Sequence, residues 1–407
     1  MKRLSVFLIV IFFSLFSITA QAEVKTFLHT VRQPFGGSQS PDDARNAAIA
    51  KAKREVLEMA GTYLESLTIV EEAVLTKDRV LALASGVLKT EIASQENYHT
   101  KDGFGIIVKA RVQVDTGLLE ERVNKLMADR RALEQLTASL KREKELLSQI
   151  NILEEESRKL AKQEDTQATR EKKKALTQEF KQASRGLNAV SLNNQAITLL
   201  ESSKYTDLKK ALGLLNNAIE LDPSYASFYN NRGIVYLKLK IYRKAMQNFN
   251  KAIELYPNIT QAYYNRGVAY HKLKEYRKAM QNFNKTIELY PNDAKAWNYR
   301  GVCYGDLKEY RKAMQNFNKA IELDPGFATA HSNRAGAYYM LKEFTNAIKE
   351  CNKAIELNPN DTKAYTFRGA AFLYLGLEDR GCADMRKACE MGDCDGLQQA
   401  RQDEECF

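Results

Sequence analysis

The chain has 407 residues, 44% of them hydrophobic and 28% charged, with a formal net charge of +10. That length allows two or three domains, and beyond the first residues no segment is apolar enough to cross a membrane. Between positions 226 and 361 there are 22 Lys plus Arg against 12 Asp plus Glu, so the basic surplus sits in one region and favours anionic partners, acidic protein segments and phospholipid head groups among them.

The amino terminus sets the expected compartment. Lys2 and Arg3 precede an apolar run, 4–18, interrupted only by Ser5, Ser14 and Ser17, and Ala20-Gln21-Ala22 follows with small residues at cleavage spacing. This pattern predicts a cleaved signal peptide over 1–22 and a mature chain from Glu23, exported in the bacterial manner to the periplasm or beyond. The run is shorter than the roughly 20 residues that span a bilayer. No cysteine follows it, which argues against a lipoprotein anchor. An exported chain is not expected to meet nucleic acid.

Residues 23–116 alternate strand and helix signals. Phe104, Ile106, Val108, Ala110, Val112 and Val114 are apolar at every second position, predicting a strand with one buried face. Residues 24–33 and 87–97 are weaker strand candidates. Ser40-Pro41-Asp42-Asp43 suits a helix start, and Ala44, Ala48, Ala52, Val56 and Met59 are its expected buried stripe. The reading is a small α+β domain. It resembles the N-terminal domain of flagellar assembly protein T and related bacterial envelope domains, through Asp43-Ala44-Arg45-Asn46-Ala47-Ala48, Asp78-Arg79 leading to Ser85-Gly86, and the strand after Asp102-Gly103. The resemblance implies partner binding at the cell envelope without catalytic residues.

Residues 117–186 are highly charged. Leu119, Val123 and Leu126, then Leu133, Leu136, Leu140, Leu147 and Ile150, recur at steps near three and four. They predict one long charged helix, read either as a solvated spacer or as a coiled coil that could pair two copies into a homodimer.

From position 187 the sequence repeats. Gly233, Gly267, Gly301, Ala335 and Gly369 stand 34 residues apart, as do Tyr236, Tyr270, Tyr304, Tyr338 and Phe372, and also Pro257, Pro291, Pro325 and Pro359. The stretch 242–251 recurs unchanged from Tyr276 and from Tyr310. This period and these residue classes resemble the tetratricopeptide repeat (TPR). Each copy would be two amphipathic helices, stacked because one pair cannot bury both its faces. The copies are read as an irregular first at 187–225, complete ones at 226–259, 260–293, 294–327 and 328–361, a degenerate one at 362–395 and a cap at 396–407. The fold class is therefore mainly α: a TPR α-solenoid preceded by a charged helix and a small α+β domain.

The resemblance places a binding groove on the first helix of each copy. Its expected lining comprises Asn230, Tyr264, Asn298 and Ser332, then Ile234, Val268 and Val302, then Leu237, His271 and Tyr339, with Lys238, Lys272 and Lys295 adding charge. Such a mixture suits an extended peptide or partner helix. Asn265 and Lys295 match parts of a carboxylate-gripping set known in the family, but Asn230, Ile234 and Tyr299 do not, so that clamp is not expected. Arg232, Arg266, Arg300, Arg334 and Arg368 also recur. They are read as packing between helices and bonding a neighbouring helix, as through Asn248 or Glu350, in preference to facing a ligand. His331 takes the place of the core aromatic at Tyr229, Tyr263 and Trp297.

All six cysteines lie in the last part of the chain. Cys303 and Cys351 are expected as buried thiols, Cys351 in the row of Phe249, Phe283 and Phe317. Among Cys382, Cys389, Cys394 and Cys406 at least one disulfide is expected. Cys389 with Cys394 would close a loop and Cys394 with Cys406 would staple the cap; spacing does not choose among three full pairings. The four histidines are scattered, and no metal site, cofactor or enzyme motif is read. The expected function is an exported protein-binding scaffold with a partner of acidic character and peripheral envelope association. The alternatives are a periplasmic chaperone or assembly factor, and a non-catalytic accessory subunit of an envelope enzyme or secretion machine.

Overall fold

The computed structural model describes residues 24–35, 41–66, 84, 88–100, 103–115, 130–200, 204–402 and 406. The apolar run and cleavage site, Ser40, Asp78-Arg79, Ser85-Gly86, Leu119, Val123 and Leu126 lie outside them. The chain divides into two compact units, the first ending at Leu187 and the second spanning Asn188–Phe407.

In the first unit β1 (Val24–Phe35), β2 (Lys89–Thr100) and β3 (Gly103–Asp115) form an antiparallel sheet in the order β1-β3-β2. Strand alternation decides the buried face: Ile106, Val108, Ala110, Val112 and Val114 are buried, while Lys109 and Gln113 are exposed. Phe104, at the hairpin end of β3, is 54% exposed and meets the His99 ring edge-on at 4.5 Å. Helix α1 (Pro41–Ser66) packs on the sheet. Its stripe is Ala44, Ala48, Ala52, Val56 and Ala60, all fully buried and each four residues on from the last. Met59, expected in that stripe, is 43% exposed, because the helix keeps the four-residue step through to Ala60. Small side chains let the helix lie close to the strands.

The charged segment is not one long helix. It forms α2 (Arg130–Leu160) and α3 (Gln167–Leu200), separated by a break that side chains build. Thr166 Oγ1 accepts from Thr169 N at 3.2 Å, capping α3, while Thr169 Oγ1 donates to the Glu164 carbonyl at 2.8 Å. The apolar stripe of α2 is Leu136, Leu140, Leu146, Ile150, Leu153 and Leu160. Leu146 takes the buried place expected for Leu147. Within this unit α2 contacts α1, and Leu146 lies against Gly186 of α3. Of the expected seam, Leu136, Leu140 and Ile150 are buried within the chain.

Glu143 falls on this stripe, beside Lys53 and Arg54 of α1. Burial pushes its carboxyl up to about 7 against the lowering pull of those two cations.

The second unit begins with the end of α3 and α4 (Tyr205–Leu221), which share a core of Ala196, Leu200, Leu208, Ala211 and Leu215 with Val235. Five helix pairs follow: α5 (Ala226–Lys238) with α6 (Tyr242–Leu255), α7 (Thr260–Lys272) with α8 (Tyr276–Leu289), α9 (Ala294–Asp306) with α10 (Tyr310–Leu323), α11 (Ala328–Met340) with α12 (Phe344–Leu357), and α13 (Thr362–Tyr374) with α14 (Glu378–Glu390). Helix α15 (Asp395–Gln402) closes the array. The first member of each pair is called A below and the second B.

A glycine and a ring hold A against B. A Cβ on Gly233, Gly267 or Gly301 would stand 2.5, 2.8 or 2.6 Å from the ring of Phe249, Phe283 or Phe317. The fourth pair fills the same space differently. Ala335 has gained the Cβ, Cys351 has lost the ring, and the two share one buried cluster. Cys303 and Cys351 are buried thiols whose ionisation burial pushes up to about 12. The last pair is sealed by disulfides Cys382–Cys406 and Cys389–Cys394, with Cα separations of 5.5 and 4.0 Å. Cys394 therefore closes the short loop and does not reach Cys406, which folds back onto Cys382, Met385, Leu397 and Ala400.

Two predictions follow from packing. Cys351→Phe alone should overpack against the Ala335 Cβ and cost about 1–3 kcal/mol. Adding Ala335→Gly should recover most of that loss, because it restores the Gly–Phe pair of the preceding copies. Urea unfolding of the four chains of this cycle would refute the pairing if the two effects simply added. For Glu143, the folded carboxyl keeps its proton between about 4.5 and about 7, where the unfolded one has lost it. Its contribution to stability is full below that window and falls away as pH rises through it. Glu143→Gln should flatten this slope, raising stability at about pH 8 by on the order of 1–3 kcal/mol while changing it little at about pH 4. Denaturant midpoints at the two pH values test the expectation.

Candidate binding surface

The recurrent arginines join the array together. Each lies on an A helix, sixteen residues before an acceptor on its own B helix and sixteen after one on the preceding B helix. Arg266 Nε donates to Asn282 Oδ1 and its Nη1 to Asn250 Oδ1, both at 2.7 Å. Arg300 repeats this with Asn316 and Asn284, again at 2.7 Å, and Arg232 with Asn248 and Asn216. The guanidinium also stacks on a ring three residues earlier: Tyr229, Tyr263, Trp297 and Tyr365 hold Arg232, Arg266, Arg300 and Arg368, with Trp297 nearest at 4.3 Å. Burial lowers the Arg266 and Arg300 guanidinium pKa values, whereas the Asp384 carboxylate raises that of Arg368. These arginines bridge helices, as the sequence reading expected.

The fourth copy departs from this pattern as a set. His331 stands where the ring was, and its Nδ1 lies 2.8 Å from Glu350 Oε2, the same oxygen that accepts from Arg334 Nη2 at 2.6 Å. Glu350 in turn replaces the asparagine of the three preceding B helices. His331 is buried, and its Nε2 faces the Pro325 carbonyl, as Tyr229 faces Pro223 and Trp297 faces Pro291. It occupies the packing position that Tyr229 and Trp297 hold in other copies.

Neighbouring A helices touch along the expected groove. Asn265 donates to Asn230 at 3.2 Å and Asn333 to Asn298 at 3.0 Å, while Asn230 donates to Asn231 and Asn231 to Asn193. Tyr264 meets Tyr299 edge-on at 5.6 Å. Asn230, Tyr264, Val268, Asn298 and Ser332 are at most 8% exposed. These five of the expected lining residues therefore lie buried and not on an open groove surface. Asn230, Tyr264 and Asn298 meet the neighbouring A helix, while Ser332 Oγ turns to the Thr329 carbonyl of its own helix.

The rest of the expected lining stays accessible. Ile234, Leu237, His271, Val302 and Tyr339 are half-buried, and Lys238, Lys272 and Lys295 are exposed. His271 Nε2 pairs with Asp306 Oδ2 at 2.7 Å, joining the ends of α7 and α9. Burial and that Asp306 carboxylate push the nearby Tyr276 phenol up. The Lys238 ammonium donates to the Leu200 carbonyl at the end of α3. Sequence reasoning missed Asp306, Tyr299 and Phe367. The last two follow Asn231 and Asn265 at the 34-residue period, one position after the first lining row, and that periodicity was the available signal.

A family model for the tetratricopeptide repeat matches 226–259, 260–293, 294–327 and 328–361, and a second TPR model matches 207–240. These segments are tetratricopeptide repeats. No curated protein matches the chain. Similar solved structures include YrrB, a TPR protein with an unusual peptide-binding site, at 27% identity over 42% of this chain and 88% of that one, TM-score 0.35. PilF of Pseudomonas aeruginosa is 16% identical over 54% and 99%, TM-score 0.47. PilW, a type IV pilus biogenesis factor, is 18% identical over 52% and 98%, TM-score 0.46.

The clamp predicts a repeat-wide effect. Arg300→Ala strips hydrogen bonds from Asn284 and Asn316 on two B helices and should cost about 1.5–3 kcal/mol. Arg300→Lys should recover only part of it, since an ammonium cannot span both amides and lie on Trp297. Denaturant unfolding that left Arg300→Ala as stable as the parent chain would dismiss the clamp.

Proposed function

We propose that the tetratricopeptide repeats hold an acidic peptide or partner helix along the accessible part of the A-helix face, and that the chain is an exported, non-catalytic interaction scaffold. Tetratricopeptide repeats are protein–protein interaction scaffolds. The observation that carries the reading for this chain is the surface left once the seam is closed. It is a half-buried apolar row, Ile234, Leu237, Val302 and Tyr339, flanked by exposed Lys272 and Lys295. Apolar contacts would give affinity, and the ammonium groups would orient carboxylates. The backbone beneath is held by the arginine clamps, so little ordering cost falls on binding. Export is supported by the amino-terminal pattern Lys2-Arg3, the apolar run and Ala20-Gln21-Ala22. The sheet of the first unit, which resembles envelope-protein domains, would supply a second point of attachment.

The test is comparative capture from the chain's own envelope fraction. A partner retained by the parent chain, and by a B-helix surface variant such as Gln281→Ala, should be lost, or bound on the order of tenfold or more weakly, with Tyr339→Ala plus Lys272→Glu. Equal retention by the A-helix variant would overturn the assignment of this face.

A further inference from the structure

The turns between A and B helices present another surface, independent of the A-helix face. At each of four turns one lysine holds a left-handed backbone: Lys240, Lys274, Lys308 and Lys342, at φ 60°, 61°, 63° and 63°. The same position in the last pair is Gly376, at φ 74°. Glycine enters this region freely, whereas a Cβ opposes it. A cation is therefore kept at four turns against the preference of the backbone. Three residues further on stand Arg243, Arg277 and Arg311. All of these lysines and arginines are exposed, and among the described residues none of them takes part in a salt bridge. The contrast is with Lys278 and Lys312, which Glu275 and Glu309 hold at 2.6 Å.

The turns form one continuous edge. The His271–Asp306 pair joins the A-helix ends of the second and third pairs, and the Phe344 and Tyr374 rings stand 4.2 Å apart between the fourth pair and the last. Along this edge the chemistry changes. Toward the carboxyl end the cations give way to Met340, Tyr374, Leu375 and Leu377, which are 50%, 61%, 46% and 42% exposed. These are large apolar side chains at or beside turn tips, each left about half exposed among the described residues. Glu378 and Asp379 follow, at the positive end of α14.

We propose that this edge docks on an anionic phospholipid bilayer, with the lysines and arginines against the head groups and Met340, Tyr374, Leu375 and Leu377 entering the interfacial layer. Cations followed by exposed aliphatic and aromatic tips are the composition that binds such an interface. The geometry favours a lipid surface over an acidic peptide. Each turn delivers its charges separately, one helix pair from the next, so a peptide would need carboxylates spaced one repeat apart. A bilayer supplies anions everywhere along the edge, and projecting tips need a penetrable layer where a peptide would need a groove.

The test is flotation with phosphatidylcholine vesicles, with and without phosphatidylglycerol, across a salt series. The full chain and the chain from Glu23 are both floated, because the apolar run at 4–18 can itself enter bilayers. The chain from Glu23 should float with the anionic vesicles alone and be released by salt. Arg277→Gln with Arg311→Gln should weaken partition on the order of thirtyfold. Leu375→Ser with Leu377→Ser should weaken it too, while leaving the salt dependence in place. All four positions are exposed, and circular dichroism would verify that the variants fold. The proposal is overturned if the chain from Glu23 ignores anionic vesicles, if it binds neutral ones equally, or if the arginine variant floats undiminished. Binding of polyglutamate at this edge without vesicle binding would overturn it as well and assign the edge to an acidic protein segment.

Discussion

A guanidinium that reaches two helices at once is the contact on which the repeat array depends. A helix pair buries its own A–B interface through glycine and phenylalanine, and that contact is local. Arg232, Arg266, Arg300, Arg334 and Arg368 add the non-local term. Each bonds the B helix of its own pair and the B helix before it, as Arg368 does with Asp384 and Asn352. Partial burial strengthens these bonds and would make their loss costly, because the amide acceptors would be left without donors. Stacking on Tyr229, Tyr263, Trp297 or Tyr365 fixes the plane of the fork, so the spacing between successive B helices is held by one rigid group per copy.

The fourth and last copies show which features must change together. When the ring at the stacking position becomes His331, the acceptor becomes Glu350, and one carboxylate oxygen serves both the imidazole and Arg334. When phenylalanine shrinks to Cys351, glycine grows to Ala335. In the last pair Arg368 meets Asp384 in a bidentate pair, and two disulfides replace the apolar stacking that a following repeat would provide. The Cys351–Ala335 pair is smaller than phenylalanine with glycine, and the Phe367 ring of the next A helix packs against the cluster it forms.

The same closeness limits where a partner could bind. Bringing A helices into contact seals Asn230, Asn298 and Tyr264 into an amide and aromatic seam. What stays open is a narrower strip of aliphatic, aromatic and lysine side chains, together with the outer edge of turns. Residues that build the array and residues available to a partner therefore share each A helix, as Asn230 and Ile234 do one helical turn apart.

Much of this architecture was legible in the sequence because repetition is a one-dimensional signal. A 34-residue period reveals helix pairs, their glycine and aromatic contacts and the buried cysteine row, and strict alternation reveals β3. Burial of the inner face was not legible. Whether Asn230 or Ile234 stays open depends on how near the next A helix comes, and that distance is set by side chains 34 residues away in sequence. The break at Thr166 and the shift from Leu147 to Leu146 were missed for a related reason. A charged stretch with a loose heptad is compatible with one straight helix or with a hairpin. Only the apolar surfaces of α1 and α3, packed in three dimensions, decide which side of α2 is buried. The pairing of Cys382 with Cys406 belongs to the same class: spacing permits several bridges, and the fold of the cap onto Met385 and Leu397 selects one.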